Sequence, residues 1–345
     1  MKIRKMFSMV AAGVLSLSLL AACSNDSVGK RSSVEGGEKF DSVSLRLAHN
    51  QPDNHPVHIS LMEFSKLASE KSENSIKIDV FPNGQLGQER DVIELVKSGT
   101  LDMAKVSASA LEAFEKKYAI FSLPYVFQSE EHYLEVMDNS EAVQEIFQST
   151  KDQGFIAIGW YHAGQRSIYT TDKKVESPDD MKGLKIRVQE SPTSISMIKA
   201  MGGSPTPMAF GDVYTSLQQG VIDGAENNEN ALTSNKHGEV AKAYTYTEHQ
   251  YVPDILIIST KVWDKLSEKQ QQALKDAAKE SSESHKEIWK KSIEKATKEA
   301  EEMGVKFYKI DKQAFIDAVA PLHKEFKEAS EDNARYFEDF QSYVK

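Results

Sequence analysis

Apolar and polar positions follow two different periods along this chain, and the switches between them mark out its elements. Leu45-Arg-Leu-Ala48 reads as a first strand, and after a Pro/Asn/His loop Val57, Leu61, Phe64 and Leu67/Ala68 share one face of a helix over 57–71. Ile76 to Phe81 alternates as a strand and stops at the turn Pro82-Asn-Gly84. Residues 88–98 have helical spacing, 101–107 return as a strand, 130–148 read as one helix and 155–160 as another strand. This βαβα rhythm predicts parallel sheets covered by helices. A second series starts near Gly164, with strands over 167–171 and 184–188 and helices over 192–201 and 212–219. The apolar run 252–260 then crosses back to the first series. From Trp263 to Glu302 the chain is rich in Ala, Lys and Glu and helical without interruption, which is long for a globular helix.

The ends change the picture. Lys2, Arg4 and Lys5 precede an apolar run from Met6 to Leu20, and Leu20-Ala-Ala-Cys23 follows, the pattern of a secretory signal with a small-residue cleavage site. Cys23 is the only cysteine in 345 residues, so it has no partner for an internal disulfide, and its place resembles the lipidated cysteine of a bacterial lipoprotein. Acylation there would anchor the chain on the outer side of a membrane. Residues 24–40 are rich in Ser, Gly and charge without apolar periodicity and read as a tether. Without the leader, 39 basic side chains face 52 acidic ones, a net of −13, which argues against a nucleic-acid partner. An anionic ligand would have to be caught by local Arg groups against the overall field.

Two segments carry the function. Gly183-Leu-Lys-Ile-Arg187-Val-Gln and the stretch from Gly211 through Asp223-Gly-Ala-Glu226-Asn227-Asn closely resemble the extracytoplasmic solute receptors of tripartite ATP-independent periplasmic (TRAP) transporters, over about 41–330. The resemblance implies an α/β, two-lobe fold of the periplasmic-binding-protein kind, with a cleft between the lobes and a long bracing helix. It implies that Arg187 grips the carboxylate of an organic acid with a planar, five-donor fork that keeps its charge. Asn227, read as lying in a loop, helps to hold that acid. Arg166, after Ala163-Gly164, is a second cation at a crossover, and Glu89 is a candidate counter-charge. Asn50 and Phe210 match ligand-facing positions, with Tyr214 one turn beyond Phe210. For each, a structural role is the competing reading: an Arg paired with a structural acid, an Asn in a turn, a Phe in a core, or Glu89 at its helix start.

Ser107 stands where sialate-binding receptors carry Glu, so sialic acid is not expected. The Ala-Glu-Asn-Asn run with His237 downstream looks more like receptors for sugar acids such as uronates or keto-gulonates, and C4-dicarboxylates stay open. His49, His55 and His58 are close enough in sequence for zinc, but with no assigned acidic partner, and no metal or cofactor is expected. No phosphate loop, His-Glu-x-x-His, nucleophile elbow or mature-domain thiol nucleophile is present, so the chain reads as a binding protein and not an enzyme, a lipoprotein hydrolase being the different-class alternative. The expected layout is a signal over 1–22, a tether over 23–40, lobe one from 41–163 plus 253–292 and lobe two from 164–252 plus 293–345. Its expected partners are the small and large membrane subunits of a TRAP transporter, or a sensor to which it presents its ligand.

Overall fold

A computed structural model describes residues 42–344, and the expectations for the signal, the tether and Cys23 fall outside them. Among the described residues, eleven strands form two sheets. In chain order they are β1 (Val43–Ala48), β2 (Ile76–Phe81), β3 (Met103–Ser107), β4 (Phe155–Tyr161), β5 (Gln165–Thr170), β6 (Lys185–Val188), β7 (Ser204–Pro207), β8 (Gly224–Asn227), β9 (Ala243–Tyr251), β10 (Asp254–Ser259) and β11 (Lys306–Lys309). The first sheet has the order β2-β1-β3-β10-β4 and the second β11-β9-β5-β8-β6-β7. Two lobes result, joined by the crossovers β4 to β5 and β9 to β10.

The sheets are mixed and not parallel as the βαβα rhythm predicts. β10 runs antiparallel to both β3 and β4, and β5 runs antiparallel to β8 and β9. The reason is the crossing itself: strands that leave one lobe and return from the other enter each sheet from the opposite end. Three local readings also change. The segment around Asn227 is strand β8 and not a loop. The helix expected over 130–148 is two, Glu130–Asn139 and Glu141–Gln148, because Ser140 takes an extended backbone and its hydroxyl accepts from Val143 N at 3.2 Å, capping the second. The closing helix Glu331–Gln341 returns to the core of lobe one, where Phe340 packs 5.7 Å from Phe121 and Tyr336 is buried, so 293–345 does not all belong to lobe two.

The long helix runs Glu268–Glu302, capped at Ser267 by Gln270 in a reciprocal pair, so the expected start at Trp263 is too early. At 35 residues it spans roughly 52 Å. Its buried face includes the small residues Ala273, Ala277, Ala278, Ser281 and Ser282, which lets β4 come close. A Cβ on Gly159 would stand 2.9 Å from Ala278 Cβ. Further along, His285 bonds Ser60 Oγ at 2.8 Å and the His162 carbonyl at 2.7 Å, pinning the helix beside the first crossover. One turn on, Trp289 lies under Gly164, whose φ of +73° is in the left-handed region.

Gly164→Ala tests how tightly crossover and brace are joined. The left-handed backbone costs an alanine about 1–2 kcal/mol, and its Cβ would sit 2.8 Å from Trp289 Cζ2, adding about 1–3 kcal/mol of overpacking. Urea unfolding should show a loss of about 2–5 kcal/mol; a midpoint unchanged from wild type would mean that the ring yields freely.

Candidate functional site

Strand β8 lies between β5 and β6, and the register sets two guanidinium groups on either side of it. Ile168 of β5 faces Glu226 and Arg187 of β6 faces Ala225. Arg166, at the start of β5, closes on Glu226: Nε donates to Oε2 at 2.5 Å and Nη2 to Oε1 at 2.9 Å, with further bonds from Nη2 to the Glu226 carbonyl at 2.8 Å and from Nη1 to Asn227 Oδ1 at 3.1 Å. Both partners are buried, Glu226 completely. Burial alone would raise the Glu226 carboxyl, but Arg166 and His249, 3.5 Å away, hold it down to about 2.

Arg187 is buried to 3% exposure without such a partner. Its Nε and Nη2 donate to the Met208 carbonyl at 3.1 and 2.9 Å, and the guanidinium lies 5.5 Å from the centre of the Phe210 ring. Among the described residues no carboxylate comes within ion-pair distance of it. Burial lowers its proton affinity from the ordinary arginine value, Glu226 opposing that and Arg166 adding to it, yet a guanidinium stays charged. A desolvated cation without a counter-ion costs several kcal/mol, and an anion placed against it recovers that cost.

Lobe one supplies the facing wall. Lys105 on β3, 1% exposed, reaches Asp254 Oδ2 at 3.1 Å, Asn50 Oδ1 at 3.5 Å and Glu89 Oε1 at 3.9 Å. Glu89 also accepts from Ser107 N at 2.9 Å, and burial pushes its carboxyl up while Lys105 pulls it down. The acid expected to balance the arginines therefore balances a lysine, and Glu226 balances Arg166. Between the walls lies a small cavity of about 40 Å³.

Of the residues expected from sequence, Arg187, Arg166, Asn227, Asn50, Glu89 and Phe210 all line this cavity. Tyr214 does not: its hydroxyl donates to Glu239 Oε2 at 2.7 Å, and the residue lines a neighbouring chamber. Asn227 Oδ1 is occupied by Arg166 and by Asn228, which leaves its NH2 to offer. Lys105, Glu226, Gln189 and Trp289 were not among the expected residues. The charged Lys105 within the apolar Met103-Ala-Lys-Val was the available signal for the first. Gln189 Oε1 is buried and has no hydrogen-bond partner. Of the three histidines near the first loop, His49 Nε2 and His58 Nδ1 bond each other at 3.0 Å and His55 Nδ1 accepts from Val57 N, so their lone pairs are spent within the fold.

Comparison with known proteins agrees with this geometry. The family model for bacterial extracellular solute-binding protein, family 7, matches residues 47–329. A solute-binding protein of Chromohalobacter salexigens is 36% identical over 276 residues, 80% of this chain and 82% of that one. A TRAP periplasmic solute-binding protein from Anaerococcus prevotii, solved with bound D-glucuronate, superposes with a TM-score of 0.85 at 44% identity, covering 88% of this chain and 98% of its own. One from Sulfitobacter sp. NAS-14.1, with bound β-D-galacturonate, gives 0.83 at 33% identity over 87% and 100%.

The Arg166–Glu226 pair makes a prediction about stability and pH. Its carboxylate titrates at about 2 when folded against about 4.3 when unfolded, so its contribution is complete above about pH 4.5 and fades as pH falls toward 2. Glu226→Gln leaves Arg166 buried and unpaired and should cost about 3–5 kcal/mol at neutral pH. In the same variant the decline of stability between about pH 4.5 and 2 should flatten; a decline as steep as that of wild type would place the acid sensitivity elsewhere.

Proposed function

Because the chain belongs to family 7 of the bacterial extracellular solute-binding proteins, the receptors of TRAP transporters, we propose that its ligand is a sugar acid, a hexuronate first of all, bound with its carboxylate on Arg187. The observation that carries this reading is the buried guanidinium of Arg187 with no carboxylate partner among the described residues. A bidentate carboxylate complements the fork in charge and shape. Arg166, fixed by Glu226, then serves as a second-rank positive group that orients Asn227, whose NH2 donates to the ligand.

A sugar acid is favoured over a C4-dicarboxylate by the amide groups. Gln189 Oε1 is a buried acceptor that needs a donor, which a ring hydroxyl supplies and the carboxylates of succinate or fumarate do not. Asn50, Gln51, Asn228 and Asn235 add amides around the same cavity. The bound uronates of the Anaerococcus and Sulfitobacter relatives support the same class. Phe210 offers an apolar ring face to the sugar and its π-cloud to Arg187.

Lobe one is proposed as about 41–163 plus 253–292 with the closing helix, and lobe two as about 164–252 with the remainder. Ligand contacts made from both sides at once favour the closed arrangement and so shift the population toward it. The closed form is the one handed to the membrane subunits. Cys23 is proposed as a lipidated anchor, on the sequence pattern around it. Replacing Cys23 by Ala should then release the protein from the membrane fraction; a variant that stays membrane-bound would sink the anchor.

Titration calorimetry tests the ligand. D-glucuronate, D-galacturonate and keto-gulonates should bind, neutral glucose should not, and succinate should bind more weakly. Arg187→Ala should cost at least about 2–5 kcal/mol, roughly 30-fold or more in affinity, with the fold intact by circular dichroism. Arg187→Lys should also bind poorly, since a point charge cannot reproduce the fork. Uronate affinity unchanged in Arg187→Ala, or succinate bound more tightly than every sugar acid, would overturn the reading.

A further inference from the structure

The cleft does not end at the cavity that holds Arg187. Past Asn50, Phe210 and Asn235, which border both spaces, it continues into a second chamber of about 260 Å³. Asn83 and Gln88 of lobe one form one wall, and Tyr214 and Lys236 of lobe two the other. We propose that this chamber is a second sugar subsite, and that the receptor takes a disaccharide of two linked uronic acid units, the first carboxylate on Arg187 and the second on Lys236. The proposal rests on the sugar-acid reading above and extends it.

Three observations carry it. First, the lining is that of a carbohydrate site: amides that both donate and accept, and ring faces of Phe210 and Tyr214 for the C–H faces of a sugar. No carboxylate lines it, although the chain carries 52 acidic residues. The Tyr214 hydroxyl is already engaged by Glu239, while the residue lines the chamber. Second, Gln88 Oε1 is buried with no hydrogen-bond partner, as Gln189 Oε1 is in the first cavity. Each of the two spaces thus borders one amide oxygen open to an incoming donor, the Gln88 side chain otherwise facing only the Asp91 N–H at its helix start, and hydroxyl groups on two successive sugar rings would satisfy both. Gly211 permits this arrangement, since a Cβ there would stand 2.9 Å from Gln88 Nε2.

Third, Lys236 is held in the left-handed region at φ +63°, uncommon for a lysine. It begins the short turn His237–Glu239, and His237 is itself fixed by the Tyr169 hydroxyl at 2.7 Å. The lysine is exposed at the chamber's rim and makes no ion pair among the described residues. A second uronate carboxylate is the ligand group that matches it.

The test compares a monomer with its own dimer by titration calorimetry on the purified protein. D-glucuronate and D-galacturonate are titrated first, then the 4-linked disaccharide of whichever acid binds. The disaccharide should bind at least tenfold more tightly than the monomer. Lys236→Gln should reduce disaccharide affinity about fivefold or more and leave the monomer unchanged. A disaccharide that binds no better than the monomer, or one indifferent to Lys236→Gln, overturns the subsite while leaving the monomeric sugar-acid reading in place. Binding of neither monomer overturns that reading and this inference with it.

Discussion

The bidentate contact between Arg166 and Glu226 governs what the rest of the cleft can do. Two guanidinium groups flank one short strand, β8, and if both were uncompensated their repulsion and desolvation would oppose folding. Glu226 settles one of them completely, from a position with no exposure to water. Arg187 is thereby left as a single desolvated positive charge, and its backbone acceptor, the Met208 carbonyl, aims the group without neutralising it. The same pair holds Asn227 by its oxygen, so the amide can present only its donors. One internal ion pair therefore decides both which arginine is available and how the neighbouring amide is turned.

The opposite wall follows the same rule with different residues. Lys105 is nearly inaccessible and has Asp254 and Glu89 within reach, while Asn50 shares its ammonium. These contacts join β3 and β10, remote in sequence and adjacent in the sheet, with the start of the helix Glu89–Ser98. Neither wall is a catalytic arrangement: every carboxylate that lines or backs the cavity is tied to a cation or a backbone N–H, and none is aimed at a nucleophile. Holding an acid and releasing it is what such a set of groups does.

The sequence exposed some of this and hid the rest for reasons that can be named. Arg187 and Asn227 were legible because their neighbours, Gly-Leu-Lys-Ile and Asp-Gly-Ala-Glu, carry a family resemblance, and apolar spacing located most strands of the first sheet. β9 escaped although Tyr244, Tyr246 and Tyr251 punctuate it, since its polar residues Thr245, Thr247 and His249 are also buried and blur the alternation. β8 read as a loop because Asp223-Gly224 opens it; the strand exists through its neighbours β5 and β6, which linear spacing does not contain. Lys105 and Glu226 were missed for the same cause. Their partners lie 149 and 60 residues away, in Asp254 and Arg166, and only the sheet order brings each pair together.

Selection by this receptor must be local, because its overall charge works against it. The chain carries a formal net charge of −10, so an approaching organic acid meets an unfavourable far field, screened beyond about 8–10 Å at ordinary ionic strength. Electrostatic steering therefore does not drive capture. Affinity has to arise after entry, from a guanidinium already stripped of water and from amides already fixed by the fold, so that little ordering remains to be done when the ligand arrives. The long helix contributes to that preparation: Trp289 forms part of the cavity wall while its neighbour His285 is locked to Ser60 and to the first crossover. The element that braces the lobes also forms part of the wall of the space between them.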